Sequence, residues 1–504
     1  MKTRILTTIF ITSLILSACK KTLDLNPQDQ ISTATFWKSK SDFDKGLAAV
    51  YASMQTEEFS FGMGFRDCLS DNGYAQFNSG SVNDVDAGNL NPTTGGYETA
   101  IYNDSYAGIA RINLFLQQLG AYKGGDMSDT DRKHYEGEVR FLRAFFYYQL
   151  YTIYGDVPLV TQPLTLQTQK QPKVTSDKIL AQITTDLDYS IANLSTDPYY
   201  KNYGHAVSSS AKALKARVLI YAAYGSTGTP DLTIMQQVAD LCQQIMPQYT
   251  LSQNFEDVFR DATQKGNTEI IFTVNFLAPT NTAPWDLYYG DWDAAAPLQN
   301  LVNDYEYTDG LAYGVSPLTD ATHVFANRDP RLAKTVYKDS VDFGNGKVHH
   351  PSNPRPTGYG VIKFLEPSNI PYGFSTLSQQ DAVILRLAEV LLMYAEAENE
   401  VNGPDASVYQ AMTTLRARVG MPAYPAGLTQ DQMRQRIRHE RRVELAFEGL
   451  RHFDLMRWHL GAQVLNNVKD SLFPFHFDDK FYKWPLPQTE IDKSGGVLVQ
   501  NPNY

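Results

Sequence analysis

The sequence predicts a mainly α-helical protein whose helices support a loop-rich, irregular face with a few short strands. Three observations carry that expectation. Long segments repeat apolar residues at helical spacing, which gathers them on one stripe able to pack against a neighbour. Only one run, 269–276 with Ile270, Ile271, Phe272 and Val274, reads as a strand. Two stretches, 59–96 and 275–372, are too long for inert connectors; the second is rich in Pro, Gly, Asn, Asp and Tyr, and long irregular segments on a rigid scaffold usually carry function. At 504 residues, with 43% apolar and 20% charged types, the chain is composed like a compact protein of two or three packing units.

The elements follow in order. Helices are predicted over 41–56, 97–119, 138–154, 175–194, 208–224 and 232–246. In 138–154 the stripe is Val139, Leu142, Phe146 and Leu150, and the chain stops at Gly155-Asp156-Val157-Pro158. In 208–224 the stripe is Ala211, Leu214, Val218 and Ala222, whose small side chains let a neighbouring helix approach closely. After the late insert, 381–401 reads as one helix with Val383, Leu387, Val390, Leu391 and Tyr394 aligned, and 429–447 as another behind a Thr429 cap. Antiparallel pairing through short loops is the economical packing for such a series.

The first residues are a separate message. Lys2 and Arg4 precede an apolar run from Ile5 to Leu16, too short for a permanent span and typical of a signal peptide. It ends in Leu16-Ser17-Ala18-Cys19, the pattern of a bacterial lipobox, so residues 1–18 are expected to be removed and Cys19 to be lipidated. Residues 19–40 then form a tether and extended segment. Cys68 and Cys242 are too few for a disulfide framework and lack zinc or redox spacing, which favours two buried free thiols over a single bridge. A net charge of −11 argues against nucleic acid as a partner.

Several passages, taken in their joint order, resemble the SusD/RagB family of outer-membrane lipoproteins. They are Cys19 with Leu23-Asp24-Leu25-Asn26-Pro27, the run from Glu138 to Ala144, Tyr154 to Leu159, Arg386 to Glu400, Glu440 to Gly449, Phe453 to Trp458, and Gln500 to Tyr504. The resemblance implies a scaffold of four tetratricopeptide-like helix pairs, with an N-terminal SusD-like region over 41–250 and a C-terminal RagB/SusD-like region over 251–504. It implies a surface-exposed lipoprotein that binds a nutrient, usually a glycan, and passes it to a SusC-like TonB-dependent transporter. No enzymatic activity, cofactor or metal is expected on that basis.

The candidate contacts are chosen for chemistry. Aromatic rings meet the apolar C–H faces of sugars, while Asp and Asn take their hydroxyls. Trp285, Tyr288, Tyr289, Asp291 and Trp292 fall within eight residues of a loop that has no helical stripe to hide in. The early insert adds Arg66, Asp71, Asn72, Tyr74 and Phe77, with Tyr97 at its end; Tyr359 and Tyr372 are weaker candidates. Each ring has a competing role in pinning its loop to the body. A glycosidase would need two placed carboxylates, of which Asp291 and Asp293 are the best pair. Oligopeptide capture through Tyr- and Asn-rich grooves is the alternative ligand class, and a purely structural assembly subunit a further one. His349-His350 point to opposite faces if extended, and His439-Glu440 lacks the second histidine of a zincin helix, so neither reads as a metal site. No phosphate loop, dinucleotide turn or nucleophile elbow is present. The charges at apolar positions, Glu389, Glu396, Glu400, Arg441, Glu444 and Glu448, are expected to form interhelical ion pairs with Arg386, Arg438, Arg442 and Arg457.

Overall fold

The computed structural model describes residues 36–504 apart from 345 and 354, so the signal peptide, Cys19 and most of the tether lie outside the described residues. Ten helices form the body: α1 (Lys40–Tyr51), α2 (Tyr97–Ala121), α3 (Asp129–Ile153), α4 (Ser176–Asn193), α5 (Ser208–Ala223), α6 (Leu232–Ile245), α7 (Leu387–Asn402), α8 (Ala406–Arg418), α9 (Gln430–Glu444) and α10 (Arg451–Arg457). Consecutive helices stack side by side, α2 on α3, α3 on α4, α4 on α5 and α5 on α6; α7 then packs on α6 and receives α8 and α9 on its other side. This is the mainly helical, tetratricopeptide-like scaffold the sequence predicts.

Local chemistry sets the helix starts. Ser39 with Asp42, Ser128 with Asp131 and Thr429 with Gln432 are capping boxes, each satisfying orphan amides reciprocally. The Ser128 box explains why α3 begins nine residues before the predicted 138, on a polar turn without an apolar stripe. Asp231 and Asp405 cap α6 and α8 through two amides each.

The strands are short, among them β1 (Gly73–Ala75), β2 (Ile270–Val274), β3 (Ala295–Pro297) and β4 (Ala382–Arg386). The segment predicted as one helix over 381–401 is in fact β4 followed by α7. Every residue of β2 is buried, and its backbone groups need partners. The antiparallel β4, with Ala382 opposite Val274 and Arg386 opposite Ile270, supplies them. Val383 therefore leaves the predicted helical stripe. The helix predicted over 429–447 stops at Glu444, and Phe447 adopts a left-handed φ of 67°.

Beneath α7 and α9 lies a buried ionic network. Glu444 accepts from Arg386 (2.7 Å), Arg331 (2.8 Å) and Arg418 (2.6 Å), and Arg386 also reaches Glu269 (2.9 Å) and Glu448 (2.7 Å). Glu448 lies beyond the end of α9, so it meets Arg386 and Lys363 without sharing the helix stripe. Glu396 on α7 is held by Arg457 at 2.5 Å, by the Trp458 indole at 2.8 Å and by the Tyr224 hydroxyl at 2.6 Å. The expected pairing thus holds for Arg386 and Arg457; Arg442 instead meets Asp71 and Asp304, and Arg438 lies 4.7 Å over the Trp458 ring. Cys68 and Cys242 are free and buried.

Candidate functional site

The two inserts meet through one small sheet. β1, from the early insert, pairs antiparallel with β3, from the late one, with Tyr74 opposite Ala296 and Ala75 opposite Ala295. Just before β3 the chain makes a single π-helical turn over Leu287–Asp291, closed by the Trp292 amide on the Leu287 carbonyl at 2.8 Å. That wider turn brings residues four apart face to face. Tyr288 and Trp292 stack with centroids 5.3 Å apart and planes at 19°. Asp293 follows at φ 49°, the left-handed bend that returns the chain into β3.

Around the stacked pair stand further rings. Phe77, 54% exposed on the loop after β1, meets Trp292 edge-on at 6.1 Å. Phe374, 83% exposed, meets it from another side at 5.6 Å. Phe61 and Phe65 pack behind Tyr288 at 5.8 and 5.4 Å. The Tyr288 hydroxyl donates to Glu57 at 3.3 Å, as does that of Tyr97. Burial raises the Glu57 carboxyl above its ordinary range, against those two hydrogen bonds. The result is a half-exposed aromatic floor, Tyr288 and Trp292, flanked by two exposed phenyl rings and edged by hydrogen-bonding groups. Asp291 sits on its rim, where Ser352 donates to its carboxylate at 2.8 Å and the Asn353 amide donates to its backbone carbonyl.

The structure brings together Tyr288, Asp291, Trp292 and Phe77 among the sequence candidates and places the rest elsewhere. Trp285 is 1% exposed, its indole N–H donating to the Gln380 carbonyl at 2.8 Å. Tyr289 is buried, donating to the Phe61 carbonyl at 2.8 Å and accepting from the Gly64 amide at 3.1 Å. Both anchor the loop to the body instead of facing a ligand, because a large ring at the base of a long insert gains most by burial. Tyr97 is buried too, at the start of α2. Asp71 is clamped by Arg442 (3.0 Å) and Arg451 (2.9 Å). Burial would raise its carboxyl, but the two guanidinium groups bring it down to about 2. Asn72 joins the same knot, donating to Asp67 and accepting from Arg442, both at 2.8 Å. Arg66 donates to the Glu58 carbonyl and to Gln149 and lies 4.9 Å over the Phe453 ring. These four are structural at their positions. Tyr74 is half-buried beside Phe473, 5.9 Å away, and Tyr359 is buried with its hydroxyl on Gln299. Tyr372 packs on the buried His349 at 5.0 Å.

The carboxylate pair does not frame an open cleft. Asp293 is fully buried, accepts from the Tyr337 hydroxyl, and is pushed by burial up to about 7. His349 accompanies it at 3.2 Å from the same hydroxyl, while His350 turns the other way to Ser340. Among the described residues no group of three or more metal-ligating side chains converges.

The sequence reading missed Phe374, Phe61 and Glu57. Phe374 stands two residues past the late insert as bounded, and Phe61 lies between Phe59 and Phe65 in a run without the Asp and Asn that mark a sugar-binding loop. The Pro-Tyr-Gly-Phe turn at 371–374, which puts a large ring where no periodic pattern buries it, was the available signal.

Comparison with known proteins bears on this arrangement. A model described as SusD family matches residues 255–504, and one described as starch-binding associating with outer membrane matches 21–220. The chain belongs to the SusD family. A SusD-like protein P2 from Formosa agariphila is 25% identical over 99% of both chains. The crystal structure of a SusD-like protein from Bacteroides fragilis superposes with a TM-score of 0.79 at 24% identity, over 95% of this chain and all of that one. A laminarin-binding SusD-like protein gives 0.67 at 24% identity, over 93% of this chain and 100% of the other. At these identities the solved structures speak to the fold. No described helix of this SusD-family chain is long and apolar enough to cross a membrane.

Proposed function

We propose that this protein is a cell-surface glycan-binding lipoprotein that holds an oligosaccharide non-covalently and delivers it to a SusC-like TonB-dependent transporter in the outer membrane. One observation carries the reading: the stacked Tyr288–Trp292 floor between the exposed Phe77 and Phe374 rings. Large apolar rings left half in water cost free energy unless a partner covers them, and sugar rings offer C–H faces of matching chemistry. The descriptions of the matching family and of the laminarin-binding relative support a glycan as that partner. The Leu16-Ser17-Ala18-Cys19 lipobox supports the anchor. Asp293, shut inside, is withdrawn from the open pair with Asp291 that hydrolysis would need, which favours capture.

Calorimetry with a panel of neutral polysaccharides and their oligosaccharides tests the binding. Saturable binding that Trp292→Ala weakens markedly without loss of folding is expected. No binding by any member of the panel, or peptides found in the complex isolated from membranes, overturns the glycan reading. Co-isolation with a large barrel protein from detergent-solubilised outer membranes tests the delivery step.

A further inference from the structure

The aromatic floor is not the only candidate binding surface on this molecule. A cavity of about 420 Å³ lies where α1 runs out beside β2, within the range of ~300–1,000 Å³ usual for small-molecule sites. Its lining includes Asp44, Tyr51, Gln55, His205 and Asn275. These side chains are already fixed. His205 holds the buried Glu138 at 2.9 Å through Nδ1, the Tyr51 hydroxyl also donates to Glu138, and Gln55 donates to the Asn275 carbonyl at 2.7 Å. What they leave over faces the opening. Among the described residues His205 Nε2, the second oxygen of Asp44 and the Gln55 side-chain oxygen have no hydrogen-bond partner, and the Tyr51 ring offers a half-buried apolar face. Preorganised polar atoms around a ring are the equipment of a sugar subsite. No Lys or Arg lines it.

Two short chains of neighbouring residues lie between this cavity and the floor. From Gln55 the chain needs two residues, at most about 7 Å, to reach Glu57, whose carboxylate takes the Tyr288 hydroxyl. From Asn275 the next residue, Phe276, lies 6.2 Å from Phe61, which lies 5.8 Å from Tyr288. Along the way the carboxylates Asp44, Glu57 and Asp291 are partly open to solvent; Lys40 lies 3.9 Å from Asp44, and the bond to Glu138 holds the His205 imidazole above its ordinary range.

We infer that the cavity beside Tyr51 and His205 is a second subsite, continuous with the Trp292 floor, and that the ligand is an uncharged oligosaccharide long enough to occupy both. The inference rests on the glycan reading above. It makes binding length-dependent: a chain spanning both subsites gains the second contact intramolecularly, while a short one does not. Carboxylates along the path disfavour uronic and sulfated chains by like-charge repulsion.

The test compares the full-length protein with Ala48→Tyr, which fills the cavity from an exposed helix position, and with Trp292→Ala. Each is titrated with neutral gluco-, manno- and xylo-oligosaccharides of about two to ten residues, and with a uronic-acid series. The wild type is expected to gain about ten-fold in affinity or more from the short to the long neutral members, and Ala48→Tyr to lose that gain while keeping the short-chain affinity. A His205 ring resonance that shifts with long but not short chains supports the same conclusion. An unchanged length dependence in Ala48→Tyr, or tighter binding of the uronic series, overturns the second subsite and leaves the floor standing. No binding by any neutral chain overturns both.

Discussion

Glu396→Gln probes the ionic network where its strength can be worked from the structure in two ways. The carboxylate is 2% exposed and accepts from Arg457, Trp458 and Tyr224. Breaking a buried pair by removing one charge leaves the other uncompensated and costs about 3–5 kcal/mol. Independently, burial alone would raise the Glu396 carboxyl, yet Arg457 and Arg441 bring it from 4.5 down to about 2, and a difference of that size is worth about 3 kcal/mol once the group is ionised in both states. A depressed carboxyl stabilises fully above its unfolded value and loses that contribution as pH falls toward its folded one, so the window runs from about pH 4.5 to 2. Urea unfolding of wild type and variant at matched pH reads both numbers. The variant is expected to be less stable by about 3 kcal/mol at pH 7, and the gap to narrow by roughly 2 kcal/mol at pH 3. A gap below about 1 kcal/mol at pH 7, or one that does not change with pH, refutes the assignment of Glu396 as a charged member of the network.

Three other outcomes are expected. Trp292→Ala weakens glycan binding by roughly 30-fold, the loss of a contact worth about 2 kcal/mol, while leaving the melting temperature within a few degrees of wild type; Trp285→Ala does the reverse, destabilising by about 3–5 kcal/mol, and calorimetry beside thermal melts separates the two. Asp293→Asn gains stability over the wild type as pH rises through the window from about 4 to 7, because burial raises the native carboxyl to about 7 and ionising it inside the protein is costly; asparagine also tolerates the left-handed φ of 49°, and urea midpoints at pH 5 and 8 check the sign. Cys68 and Cys242, both buried with their thiols pushed up by desolvation, are expected to stay unlabelled by thiol reagents in the native protein and to react together on unfolding.

The helical body is legible in the letters because its signal is local. Val139, Leu142, Phe146 and Leu150 announce α3 without reference to anything outside the segment, and Thr429 announces the start of α9. The split of 381–401 is not local: Ala382–Arg386 is a strand only because the buried Ile270–Val274 lies alongside it, more than a hundred residues earlier. The candidate site divides the same way. An abundance of rings in 285–292 correctly marks a loop with unusual chemistry, but which of Trp285, Tyr288, Tyr289 and Trp292 meets water depends on the π-helical turn and on what Gln380 and Phe61 offer below. Asp71 looks like a hydroxyl-binding acid until Arg442 and Arg451, some 370 residues away, are folded against it.

The pairing of Gly73–Ala75 with Ala295–Pro297 has an evolutionary consequence. Phe77 belongs to the stretch matched by one family model and Trp292 to the stretch matched by the other. Recombination between relatives that exchanged a single insert would inherit mismatched halves of a recognition surface, so new ligand preferences in proteins built this way should arise by paired replacement across the seam, or by point changes at its exposed rings, far more readily than by swapping one loop.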